Sequence, residues 1–235
     1  MKNQKPIVLD VPRFEQPDDL TCGPTCLTQL YRFYGHRKAL AQVIEETPRN
    51  PDGGTLAVSL GTSALGNGFR TTIYSYNLRV FDPTWRTLDP PALIAKLQQR
   101  GRAVQSKRLQ HTLNAYITYL KLGGSVRFRE LNTRLLVQTL ARGWPILAGL
   151  SGTYLYEAPR EHQNVYDDIR GEPVGHFVVI CGYYPKSDRF IVRDPSSHIP
   201  FSLTGKYSVR AERLLSAILL GDVTDDAVLL VLSRP

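Results

Sequence analysis

Beyond Gly143 the sequence stops repeating at helical spacing and breaks into short apolar runs: Pro145–Leu150, Phe177–Tyr184, Phe190–Arg193 and Ala227–Leu232. Runs this short, rich in Val, Ile, Leu and Phe, read as buried strands. One helical segment, about Arg210–Leu220, interrupts them. Before Gly143 the pattern is mostly helical. A helix follows Cys22, a short one covers Ala39–Glu46, and a third runs from Thr55 to Gly66-Asn67-Gly68. Asp89-Pro90 starts a fourth, Lys107–Leu122 forms a fifth, and Asn132 caps a sixth. Strands are expected at Ile7–Val11, Phe69–Tyr76 and Val126–Phe128, and "NPDGGT" is a loop. A helix-rich first part followed by a strand-rich second part is the pattern of an α+β fold with segregated layers.

The 235 residues suffice for one large domain or two small ones. Hydrophobic residues make up 42% and charged residues 21%, the composition of a soluble globular chain, with a net charge of +8 as the one skew. The basic residues are dispersed rather than gathered into a run, which argues against a nucleic-acid partner. The start, "MKNQKPIVLDVPRF", lacks the apolar core of a signal peptide, and no stretch approaches the ~18 apolar residues of a membrane span. Three cysteines do not make a disulfide framework, so reduced thiols in a cytoplasm are expected.

One of those cysteines stands apart. In "QPDDLTCGPTC", Cys22 precedes a helical run in which Leu27, Leu30, Tyr31 and Tyr34 share a face. Thr21 is a candidate N-cap, and Pro24 in the first turn gives up only an N–H that has no intrahelical partner. The positive end of a helix favours a thiolate, so Cys22 reads as a nucleophile. Cys26 and Cys181 read as small core residues. A metal site built from Cys22, Cys26, His176 and Asp194 is conceivable but less fitting.

A cysteine nucleophile needs a base, and the base an orienting partner. Among five histidines, His176 is distinctive because it opens the apolar run "GHFVVICGYY". Asp194 ends the next strand in "FIVRDP". If the two strands pair as a hairpin, these side chains meet at one end of the sheet, and Asp194 accepts the imidazole's second N–H. Between the halves of this arrangement runs Thr153–Val174, a long, polar, tyrosine-rich segment read as a loop without regular structure. It is either a substrate-covering segment or a surface insertion. Tyr154, Tyr156, Tyr166 and Gly175 are its candidate substrate-binding residues.

Together "QPDDLTCGPTC", "GHFVVICGY" and "VRDP" resemble the papain-like cysteine peptidases of the bacteriocin-processing type, which cleave leader peptides after a double glycine, and their stand-alone relatives. The resemblance implies a papain-like fold over residues 1–235. A helical lobe (about 1–142) would pack on an antiparallel sheet from the second half (about 143–235). It also implies Cys22 as nucleophile, His176 as general base and acid, and Asp194 as its orienting partner. Gln16 would be an oxyanion donor together with the Cys22 backbone N–H. Its activity would be hydrolysis of a peptide or isopeptide bond through a thioester, on a peptide-like substrate and without a cofactor or metal. Transfer to an amine, as in a transpeptidase or amide-forming acyltransferase, and a catalytically silent peptide-binding module are the alternatives. The leader-peptide processors are usually fused to a membrane transporter, and no such span occurs in this sequence.

Overall fold

The computed structural model describes residues 5–50, 53–221 and 227–234; the expected 50–55 loop and the first residues of the chain fall partly outside them. The centre of the molecule is β7 (Gly175–Tyr184), in which every residue from His176 to Tyr183 is buried. Alternate side chains explain why. Phe177, Val179 and Cys181 enter one core, while Val178 and Ile180 enter another on the opposite face. A strand covered on both faces has no polar side, which is why this run reads as continuously apolar.

Around β7 lies an eight-stranded sheet in the order β3-β2-β10-β4-β7-β8-β9, with β1 pairing off this path to β7. The strands are β1 (Ile7–Val8), β2 (Arg70–Ser75), β3 (Ser125–Arg127), β4 (Ile146–Ser151), β8 (Arg189–Arg193), β9 (Lys206–Arg210) and β10 (Val228–Ser233). The first core is roofed by α1 (Cys22–Phe33), α3 (Ala57–Gly66), α4 (Pro90–Ala103) and α5 (Lys107–Lys121). The second lies under α6 (Thr133–Leu140) and α8 (Ala211–Leu220). A short α2 (Leu40–Glu46) packs on α1.

This is the expected α+β architecture, with two refinements. The sheet is mixed, because β2 and β3 pair in parallel while every other neighbouring pair is antiparallel. It also draws β1, β2 and β3 from the helix-rich first part, where β10 returns to pair with β2 along its whole length. Several helix starts behave as their residues dictate: Asp89, Ser106 and Asn132 each accept a bond from a first-turn N–H. Thr21 and Thr55 do not. The Thr21 hydroxyl instead bonds to the Asp18 carbonyl, and α3 begins after Leu56 without a side-chain cap.

The Thr153–Val174 segment is more ordered than its composition implies. It starts within a one-turn helix α7 (Gly152–Tyr156) and continues through a hairpin of β5 (Glu161–His162) and β6 (Val165–Tyr166). Gln163 and Asn164 turn the hairpin with positive φ angles of 51° and 62°, the conformation that asparagine tolerates best among residues with a Cβ. β9 also escapes a sequence reading, because "KYSVR" on a sheet edge carries no apolar run.

Candidate active site

Cys22 is the first residue of α1, and no side chain caps that helix among the described residues. Its first-turn N–H groups are therefore left for another acceptor. Two features bring the helix start against β7. Gly23 sits where an added Cβ would lie 3.1 Å from Leu60 and 3.2 Å from Phe177, so glycine permits the close approach. One turn on, the buried Cys26 thiol donates to the Phe177 carbonyl across 3.3 Å and ties α1 to the residue after His176. Cys26 is thus an anchor rather than a reactant, and burial pushes its thiol pKa up, with the neighbouring Cys22 adding to the shift.

His176, the second residue of β7, pairs in register with Leu150 of β4. Asp194 follows the last residue of β8, and the β7–β8 ladder brings the two together, His176 Nε2 lying 2.8 Å from Asp194 Oδ1. The expected hairpin arrangement therefore holds. The Cys22 side chain lies near enough to the imidazole to act on it electrostatically, which groups the three residues at one place. Burial by itself lowers the His176 pKa; the charge of Asp194, its hydrogen bond and the nearby Cys22 outweigh it and raise the pKa to about 10. Burial likewise opposes ionisation of Asp194, yet the imidazolium and the donors around the carboxylate hold its pKa below the ordinary value.

Those donors are the part of the site that sequence reasoning missed. Asp194 is fully buried, and four groups surround its two oxygens. Oδ1 takes His176 and the Ser196 backbone N–H (3.0 Å). Oδ2 takes the phenols of Tyr156 (2.8 Å) and Tyr207 (2.7 Å). Tyr156, a candidate substrate-binding residue, lines the cavity beside His176 while its hydroxyl donates to the carboxylate. Tyr207 lies on the unrecognised β9, where Lys206 pairs with Arg193 and carries the tyrosine to Asp194.

The N-terminal segment is stitched to the same loop. Arg13 donates to the carbonyls of Asp194 (3.0 Å) and Ser196 (2.7 Å), and the Gln16 N–H donates to Pro195 O (2.9 Å). Gln16 lines the cavity beside His176, and its Oε1 is buried without a partner. Beneath this loop, Gly205 has a positive φ of 65° and accepts the Asp194 N–H at 2.8 Å. A Cβ there would collide with the Asp194 carbonyl and Arg13 Nε. Gly205→Ala is therefore expected to cost about 2–4 kcal/mol, from left-handed strain plus overpacking, with a matching fall in the urea midpoint. An unchanged midpoint would mean that the Asp194 loop moves freely.

Two cavities flank the Cys22–His176 pair. The larger, about 520 Å³, includes Cys22, and the smaller, about 290 Å³, includes His176 and Gln16. They share Asp19, Glu161, Asn164, Val174 and Gly175, so the β5–β6 hairpin walls both sides of the Cys22–His176 pair. Of the candidate substrate-binding residues, Tyr166 lines the smaller cavity and Gly175 lines both. Tyr154 lines neither: it borders a separate hollow of about 380 Å³ with Arg213 and Leu220. Among the described residues, no group of three or more His, Cys, Asp or Glu side chains is placed to hold a metal ion. Cys26 points away from such a cluster, toward Phe177.

Residues 96–207 match the sequence model of the Peptidase_C39 like family. The matched segment contains His176 and Asp194 but begins after Gln16 and Cys22. In fold, a C39-like peptidase from Bacillus anthracis superposes with a TM-score of 0.55 at 14% identity, covering 99% of each chain. The protein has a C39-like peptidase fold. Two further structures overlay this C39-like fold more loosely, each at 14% identity. They are the peptidase domain of Streptococcus ComA, a bifunctional ABC transporter of a quorum-sensing pathway (TM-score 0.46, 96% and 99% coverage), and a double glycine motif protease from an AMS/PCAT transporter in complex with its leader peptide (0.48, 99% and 100%). A search of the curated proteins gives no match. Among the described residues, no helix is long and apolar enough to cross a membrane.

Proposed function

We propose that the protein is a single-domain cysteine peptidase or amidase that hydrolyses a peptide or isopeptide bond through a thioester. The observation that carries this reading is a histidine that a buried carboxylate holds at 2.8 Å, with the Cys22 side chain beside it at an uncapped helix start. In this reading Cys22 attacks the substrate carbonyl as a thiolate beside the imidazolium of His176. The oxyanion is met by the Cys22 N–H and the Gln16 side-chain amide. His176 gives its proton to the departing amine, then takes one from the water that attacks the thioester, releasing the acid and restoring the thiolate–imidazolium pair. Asp194 keeps the imidazole in one orientation throughout. The substrate would lie along the two cavities with the β5–β6 hairpin over it, contacting Tyr166 and Gly175. The three free thiols fit a reducing, cytoplasmic setting.

Profiling a peptide library for new carboxyl ends tests the reaction. Cleavage by the wild type that stops on alkylation of Cys22 is expected, and a library left intact would sink the hydrolase reading. Adding a primary amine separates the two acyl acceptors: amide products in place of acids would identify a transferase. For Gln16→Ala, kcat is expected to fall on the order of 10²-fold with little change in KM, because the amide would act on charge that develops only in the transition state. A change confined to KM would assign Gln16 to substrate binding instead.

A further inference from the structure

The Asp194 carboxylate is held far more heavily than orienting one imidazole requires. Both phenols converge on Oδ2, leaving Oδ1 to His176 and the Ser196 N–H. They arrive from different parts of the fold, Tyr156 from α7 and Tyr207 from β9, and the ring of Phe201 packs between them with centroids 6.1 and 5.0 Å away. The Tyr156 ring also lies 5.8 Å from that of His176. A buried carboxylate oxygen with two O–H donors is stabilised as an anion; the same oxygen with none favours the protonated acid.

We propose that Tyr156 and Tyr207 are positioning residues that keep Asp194 ionised and aim its other oxygen at His176, and that they thereby set the acid limit below which the Cys22–His176 ion pair is lost. The proposal rests on Cys22 being the nucleophile. Titratable groups from four elements bear on Asp194: His176 from β7, Tyr156 from α7, Tyr207 from β9 and Cys26 from α1. Arg13 from the N-terminal segment binds its backbone carbonyl. The two phenols supply both donors to Oδ2, and both have pKa values pushed well up by burial and by the adjacent carboxylate, so they remain donors across the working range.

The test needs no substrate. Cys22 is the one cysteine that is not buried, since Cys26 and Cys181 are fully buried, so the rate of iodoacetamide alkylation against pH reads the Cys22 thiolate. The wild type should react faster than a free thiol well below neutral pH. In Tyr156→Phe and Tyr207→Phe the acid limb should move up by about one pH unit each, and further in the double variant. In Asp194→Asn, whose amide has no proton to gain, adding Tyr207→Phe should leave the limb where it is. A limb unmoved in both single variants, with the rate merely scaled down, would overturn the proposal and leave the tyrosines a packing role. A wild type with no enhanced reactivity would instead remove the nucleophile itself. If the double variant does not fold, either single variant gives the same readout.

Discussion

Replacing Cys22 by alanine is expected to abolish turnover, by on the order of 10⁴-fold or more in kcat, while leaving the fold intact. The size follows from the role. Without the sulfur no thioester forms, and His176 has no proton to move, so what survives is the contribution of the oxyanion donors and of substrate binding. The stability expectation follows from position. Cys22 is only half buried at the first turn of α1, whereas the anchor that seats this helix on β7 is Cys26. Circular dichroism and the thermal midpoint should therefore match the wild type while peptide cleavage disappears. Cleavage that persists in a folded Cys22→Ala protein would place the chemistry elsewhere.

The second large effect is on stability. Asp194→Ala is expected to cost about 3–5 kcal/mol, because it leaves His176 without its counter-charge and orphans the Tyr156, Tyr207 and Ser196 donors in a buried site. Its pH dependence is equally specific. The folded pKa of Asp194 is depressed, so its contribution is present above the ordinary value of 3.8 and is lost as the pH falls through the folded value. The folded pKa of His176 is raised, so its contribution is complete below 6.5 and fades as the pH climbs toward about 10. These are two views of one interaction, which is fully present between about 3.8 and 6.5. Urea unfolding across a pH series should show the wild type losing stability on both sides of that window. The variant should lack both slopes; a parallel curve merely offset downward would mean that the pair does not govern the titration.

Much of this was legible in the residues. The helix starts at Asp89 and Asn132 came from capping chemistry that operates within one turn, and the buried strands from runs that have no polar side. His176 and Asp194 were recognisable as a pair because a single hairpin joins them, so their meeting depends only on local register. What surrounds the pair was not legible, and the reason is the same in each case. Tyr207 reaches Asp194 only through the β8–β9 register on a sheet edge whose sequence lacks an apolar signature. Tyr156 stands in a segment whose polar composition concealed one helical turn and a hairpin. The parallel β2–β3 pairing and the return of β10 to β2 bring together strands distant in the chain, and no local pattern encodes such closure.

Local pattern was enough to place each candidate group in its own element: a cysteine opening a helix, a histidine opening a strand and an aspartate closing the next. Those placements follow from backbone propensity, capping and periodicity, which act over a few residues. Which side chains complete the site depended on pairings between distant parts of the chain. A buried carboxylate must find its donors wherever the fold supplies them, and here they come from α7, from β9 and from the loop that Arg13 and Gln16 tie down.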